Sequence, residues 1–216
     1  MGAGRRAVRM VCKQLGDRFA SVRPPFRSKN FRKFFLIWYA LGAGVIWFCH
    51  PSPRLFWLGT GFIAAGIGLR GWGAGYLVKA RQLAVVGPYA YLRHPLYAGT
   101  LLVGIGFAFL VGGFLTPIAL ALLFAWFFGS YFPRKDRSES DRLESLFAED
   151  FVIYRQNVPA LWPRWRPFRP NFGSGHESHV SREWRFECYS ENNELGALMA
   201  MLAGWLLVFL RFVLDG

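Results

Sequence analysis

Long stretches of this chain carry no charge at all, and that decides the solvent in which it folds. Residues 34–49, 96–112, 114–133 and 195–210 are uncharged, and the block 55–78 holds a single charge, Arg70. A helix crosses the hydrocarbon core of a bilayer with about 20 apolar residues, roughly 17 being a practical minimum. A water-soluble core cannot absorb so many uninterrupted runs. The fold class read from them is all-α: a polytopic membrane helix bundle of about five transmembrane helices, with a cytoplasmic amphipathic helix added. The expected organisation is a basic N-terminal arm over residues 1–33, a membrane core over 34–163, a cytoplasmic loop over 164–194 and a C-terminal transmembrane helix over 195–214.

Charge gives that bundle a direction. Five spans with a cytoplasmic N-terminus place ten Lys or Arg of residues 1–33, three of 79–95 and ten of 134–194 on one side, against Arg54 and Arg211 on the other. The positive-inside rule favours this multi-pass topology with its active side in the cytoplasm. A net charge of +13 could also point to nucleic acid. Because the basic residues flank spans, anionic lipid headgroups are the expected partner and nucleic acid is not. The first 33 residues lack an apolar segment followed by a small-residue cleavage site, so they read as a basic arm, with an organelle transit segment as the alternative. Cys12, Cys49 and Cys188 are too far apart to imply a disulfide framework, and His176 and His179 read as a solvated loop.

Local signals divide the membrane core. Pro51-Ser52-Pro53 and Gly112-Gly113 are tight turns between spans. Gly71 and Gly75 form a small-xxx-small pair suited to close helix packing. After Phe132-Pro133 the pattern changes: Leu143, Leu146, Phe147, Phe151, Tyr154 and Val158 share one helical face, and the other carries six acids between Asp136 and Asp150. The helix over 136–158 is too polar to span, and residues 171–190 read as a weakly structured loop.

Between the second and third spans lies a polar turn, Gly87-Pro88-Tyr89-Ala90-Tyr91-Leu92-Arg93-His94-Pro95-Leu96-Tyr97. Pro95 suits a first helical turn, so a helix is expected to start there. No Asp or Glu occurs from residue 18 to 135. A pocket at this turn that takes a cationic group must therefore borrow its carboxylates, and the helix that begins near Glu139 is the next cytoplasmic segment able to lend one.

These residues resemble a known family. Gly87-Pro88-Tyr89 followed by Arg93-His94-Pro95-Leu96-Tyr97-Ala98-Gly99, and then Glu139, Leu143, Phe147, Phe151, Tyr154 and Val158-Pro159, look like the paired signature of isoprenylcysteine carboxyl methyltransferases and related phospholipid methyltransferases. The likeness covers about residues 79–163. It implies an integral membrane methyltransferase with S-adenosylmethionine as methyl donor, bound at the cytoplasmic mouth of the bundle. It further implies cofactor contacts at Arg81, Gln82, Leu83, Ala84, Tyr89, His94, Pro95, Leu96, Tyr97 and Glu139, and a substrate-facing cation at Lys135, with Arg134 beside it. Ser140 stands where the family often has a second Glu, and Ala148 where it has Gly. Lys135 replaces an Arg and cannot give the bidentate fork that a carboxylate acceptor meets in the family.

The chemistry is coherent on its own terms. The N–H groups that open a helix suit a carboxylate, Glu139 suits an ammonium or ribose hydroxyls, and tyrosine faces suit a sulfonium. Tyr91 reads instead as an interfacial belt residue. Methyl transfer to a carboxylate needs no general base, so positioning and desolvation carry it. A lipidic or prenylated substrate could enter from the membrane and be O-methylated at its polar end. Two alternatives stay open: an NADPH-dependent sterol-type reductase, whose turn is similar, and a non-catalytic membrane protein that binds anionic lipid.

Overall fold

The computed structural model describes residue 44 and residues 49–77, 83–169, 183–192 and 194–215. Apart from Gly44, these belong to one compact unit, Val45–Gly216. Two antiparallel helices form its spine, α1 (Pro53–Tyr76) and α2 (Pro95–Val111). Pro53 opens α1, with the Ser52 hydroxyl facing the Leu55 N–H at 3.5 Å.

The spine is joined along a glycine seam. Gly59, Gly66 and Gly73 recur every seven residues on α1, and Gly99 and Gly106 do so on α2. A Cβ on Gly66 would stand 2.6 Å from the Gly99 carbonyl oxygen, and one on Gly106 would stand 2.6 Å from that of Gly59. Backbone meets backbone here, which any side chain would forbid. The close-packing pair expected at Gly71 and Gly75 lies off this seam, because those residues sit on another face of the helix. A Cβ on Gly75 would strike the Trp184 ring, and one on Gly71 would touch Tyr189.

At the end of α2, Gly112 and Gly113 take φ of 82° and 55°, a reversal only glycine makes cheaply. The next helix, α3 (Leu115–Trp126), continues through a π turn, Phe127–Tyr131, into α4 (Phe132–Asn157). Sequence reading separates a fourth span from an amphipathic helix; the structure joins them in one run, Leu115–Asn157. Pro133 does not end it, because the π turn immediately before it shifts the hydrogen-bond register at the point where the proline withholds its N–H. The run bends at Ala148, whose φ of 40° and ψ of −118° are not helical.

Past residue 158 the chain returns to the mouth of the spine. The short helix α5 (Phe186–Glu191) occupies part of the stretch read as loop, and α6 (Glu194–Asp215) follows it. α6 packs its aromatic face on the start of α1, where the Phe56 and Phe212 rings stack with centroids 4.4 Å apart. Trp205 Nε1 donates to Thr60 Oγ1 at 2.9 Å. No strand occurs among the described residues. Leu115–Asn157 and Glu194–Leu214 are long and apolar enough to cross a membrane, and Pro95–Val111 is a shorter apolar helix. Leu122, Leu206 and Leu207 are exposed on them, as side chains are when the surrounding solvent is lipid. The first expected span, 34–49, falls outside the described residues except at Gly44 and Cys49.

Candidate functional site

The polar turn is held by backbone before any side chain acts. Gly87–Ala90 forms one 3-10 turn, opened by Gly87 at φ 60°. Four hydrogen bonds then tie residues 90–94 to the segment after α4. Arg93 N–H donates to Pro159 O at 2.9 Å, His94 N–H to Ala160 O at 3.1 Å, Arg164 N–H to Tyr91 O at 3.0 Å and Phe168 N–H to Ala90 O at 2.8 Å. The Pro/Trp/Arg stretch thus acts as a clamp. It also takes up the N–H groups of Arg93 and His94, and Pro95 has none, so the amides left at the opening of α2 belong to Leu96 and Tyr97.

The polar half of α4 brings carboxylates to this clamped turn. His94 Nε2 donates to Asp136 Oδ1 at 2.7 Å, and Arg93 Nη2 lies 3.6 Å from the same oxygen. His94 Nδ1 stands 3.5 Å from Glu139 Oε2, while the Tyr97 hydroxyl donates to Glu139 Oε1. Below them the Leu83, Val85, Phe151, Tyr154 and Val158 side chains form an apolar floor, and the Tyr154 hydroxyl donates to Tyr89 O at 2.8 Å. The face Leu143–Phe147–Phe151–Tyr154–Val158 read from the sequence is the face that packs here.

These elements enclose a cavity of about 390 Å³, lined by Leu77, Leu83, Ala84, Tyr89, Arg93, His94, Pro95, Leu96, Tyr97, Lys135, Glu139, Arg142, Leu143, Leu146, Phe151, Tyr154, Asn192 and Glu194. That is a small-molecule volume. Of the residues singled out by sequence, Leu83, Ala84, Tyr89, His94, Pro95, Leu96, Tyr97, Lys135 and Glu139 meet in this one wall. Arg81 and Gln82 lie outside the described residues. Arg134 does not join them. A step of one residue turns a helix by about 100°, and the Arg134 guanidinium folds back on Ser130, with Nε donating to its carbonyl at 2.8 Å and Nη2 to its hydroxyl at 2.5 Å. Ser140 is buried rather than turned to the cavity.

Three lining groups escaped sequence reading. Arg142 stands seven residues after Lys135 on the same face, a spacing that was there to be counted. Asn192 and Glu194 arrive from a segment with no motif to announce it. Arg93 belongs to the turn signature rather than to the implied contacts, and its environment is the most telling. Its side chain is 11% exposed, and its Nε and Nη1 find no hydrogen-bond acceptor among the described residues. Burial pulls this guanidinium below its ordinary value, against the opposing pull of Asp136. Burial also raises the Tyr89 and Tyr154 hydroxyls. Glu139 goes the other way: burial alone would raise it, but the neighbouring His94 ring, the hydrogen bond from Tyr97 and the charge of Lys135 bring it below the usual carboxylate value. Among the described residues no group of three or more His, Cys, Asp or Glu side chains is placed to hold a metal ion.

Comparison with known proteins bears on this geometry. Residues 76–139 match the isoprenylcysteine carboxyl methyltransferase family. A cobalt-zinc-cadmium resistance protein, CzcN, of Cupriavidus metallidurans is 36% identical over 121 residues, 55% of this chain and 53% of its own length. A protein-S-isoprenylcysteine O-methyltransferase of Schizosaccharomyces pombe is 33% identical over 85 residues, 39% of this chain and 34% of its own. The chain therefore spans about half the length of one relative and a third of the other. No solved structure matches. The turn and the start of the polar half of α4, which build the cavity's charged wall, fall inside the matched segment.

Proposed function

We propose that this chain, isoprenylcysteine-methyltransferase-like through its polar turn and the start of α4, transfers a methyl group from S-adenosylmethionine to the carboxylate of a membrane-resident amphiphile. The observation that carries the reading is the wall shared by Arg93 and Glu139: a buried guanidinium, paired at Nη2 with Asp136 and with two further donors that meet no acceptor among the described residues, beside a carboxylate held below its ordinary value by His94 and Tyr97. A zwitterionic amino acid head suits the two charges, its carboxylate turned towards the Arg93 guanidinium and its ammonium towards Glu139. Arg93 already has the Asp136 carboxylate 3.6 Å from Nη2, and the ligand carboxylate would share the guanidinium with it.

When bound, S-adenosylmethionine supplies a methyl group on a cationic sulfur. The residues of the chain hold and screen it. Tyr89 and Tyr97 offer aromatic faces to the cation, worth roughly 0.5–2 kcal/mol each. Leu83, Leu143 and Phe151 exclude water from the cavity. Lys135 and Arg142, one on each side of Glu139 along the helix, are the cations for the acceptor carboxylate. Arg142 restores the planar fork that Lys135 cannot make. No general base is required, since the nucleophile is already an anion.

The five-span, N-in topology accords with this placement, since it puts the turn and α4's polar half among the 23 cytoplasmic basic residues. Anionic lipid at the flanking arginines is part of the same reading. The test is transfer of labelled methyl groups into membrane extract by the purified protein. Incorporation that is abolished in Glu139→Ala and His94→Ala is expected. Incorporation unchanged in both variants contradicts the site.

A further inference from the structure

Arg70, the single charge of the block 55–78, makes more contacts than any helix anchor needs. Its Nε and Nη2 donate to the two Glu194 carboxylate oxygens at 3.0 and 2.7 Å. Its Nη1 donates to Thr100 Oγ1 at 2.5 Å and to Leu96 O at 3.3 Å. The two charged side chains are 15% and 6% exposed. Gly99 leaves room for the arginine stem, since a Cβ there would stand 2.6 Å from Arg70 Cγ. One guanidinium thus joins α1, α2 and α6.

Attachment of α6 does not explain the pair. The far end of α6 is already fixed by the Phe56–Phe212 stack and the Trp205–Thr60 hydrogen bond. A buried ion pair contributes little net stability, and apolar side chains of similar size often replace one without loss. What the pair does hold is a wall. Glu194 and Asn192 both line the cavity. The segment that carries them lies on the last turn of α1: Asn192 Nδ2 donates to Ala74 O and Leu77 O, both at 2.9 Å, Arg185 N–H to Gly75 O at 2.9 Å, and Trp184 Nε1 to Gly71 O at 3.2 Å. On its other side Arg70 grips the carbonyl of Leu96, a residue of the α2 opening that also lines the cavity.

We propose that Arg70 and Glu194 are positioning residues, which hold the segment ending at Asn192 against the last turn of α1, so that Asn192 and Glu194 stay in the cavity wall in register with the first turn of α2. As a ligand-site claim this rests on the reading that the cavity takes S-adenosylmethionine. The C-terminal segment, which lies outside the matched family region, is then part of the active site rather than an added membrane anchor.

Two measurements on the full-length chain in detergent test it. With Cys12→Ser and Cys49→Ala, Cys188 is the sole thiol, and it sits buried in α5. Adding the apolar pair Arg70→Met with Glu194→Met is expected to speed maleimide labelling of Cys188 about tenfold or more with little change in melting temperature; an unchanged rate overturns the proposal. A melting temperature lower by roughly ten degrees or more would make the pair a determinant of the fold and also overturn it. Second, the apolar pair Arg70→Met with Glu194→Met is expected to melt as the parent does but to bind S-adenosylhomocysteine about tenfold more weakly. Parent-like binding in that variant overturns the proposal. If the parent chain itself binds no S-adenosylhomocysteine, the methyltransferase reading falls, and the labelling rate alone decides whether the pair holds the wall.

Discussion

The two ends of the α1–α2 spine are built from the same helices and obey opposite rules. At one end Phe56, Ile63, Leu110 and Val208 form a dry cluster, with Trp205, Phe209 and Phe212 packed on it. At the other, the spine opens onto Arg93, His94, Asp136 and Glu139, and an arginine from inside the helix reaches Glu194. Between them runs a glycine seam in which backbone replaces side chain. The difference teaches how the chain separates tasks. The apolar end and the seam fix the distance between helices, so the polar end can carry buried donors and carboxylates that would otherwise pull it apart.

The seam offers the largest effect. Gly106→Val forces a branched side chain against the Gly59 carbonyl, with an expected loss of about 3 kcal/mol or more. Size-exclusion profile and melting temperature in detergent measure it, and ligand binding should vanish together with the fold. A variant that folds normally would break the claim that the seam sets the spacing.

Next comes a change confined to the polar end. Glu139→Gln keeps the shape and removes the charge, with an expected loss of about 1.5–3 kcal/mol in S-adenosylhomocysteine binding. The melting temperature at neutral pH should fall by only a few degrees, the share of stability that the depressed carboxyl supplies. A large drop in melting with binding intact would reverse the assignment of the two ends.

Acid sharpens the same contrast. The Glu139 carboxyl in the folded chain lies below its usual value. A depressed carboxyl contributes stability that is present above its unfolded value and is lost as pH falls through the folded one. Melting temperature should therefore fall on acidification below the ordinary carboxylate range, and Glu139→Gln should flatten that part of the profile. An identical acid limb in both proteins would remove Glu139 from the account.

The smallest effect is a gain. Ala148 holds φ 40° and ψ −118° at the bend of α4, where an L side chain is strained. Ala148→Gly should raise stability by about 1 kcal/mol, read as a higher melting temperature without loss of activity. A lower melting temperature would mean that α4 is straight at this point.

How much of this was open to reading from the sequence depends on the range of each signal. The turn residues Gly87, Gly112 and Gly113, the start of α2 at Pro95 and the packed face from Leu143 to Val158 are local patterns with a period or a fixed dihedral need. The joining of Glu139 to the turn was legible because the chain is empty of acids from residue 18 to 135. The four-residue spacing of Gly71 and Gly75 points away from the glycine seam, whose contact is carried by the seven-residue spacing of Gly59, Gly66 and Gly73. The division at Phe132-Pro133 failed for a different reason: a polarity change along one helix reads like a break. The clamp from Pro159 to Phe168 and the reach of Glu194 to Arg70 were illegible, because irregular backbone pairing and a partner 124 residues away leave no pattern in the chain.

The central claim is that Arg93 and Glu139 together receive a zwitterionic head, and titration calorimetry of the purified protein in detergent tests it most directly. S-adenosylhomocysteine should bind at least about tenfold more tightly than 5′-methylthioadenosine, which has the nucleoside but lacks the amino acid, and Arg93→Met should erase the difference. Equal affinity for the two ligands, or binding of NADPH and of neither, would contradict the account.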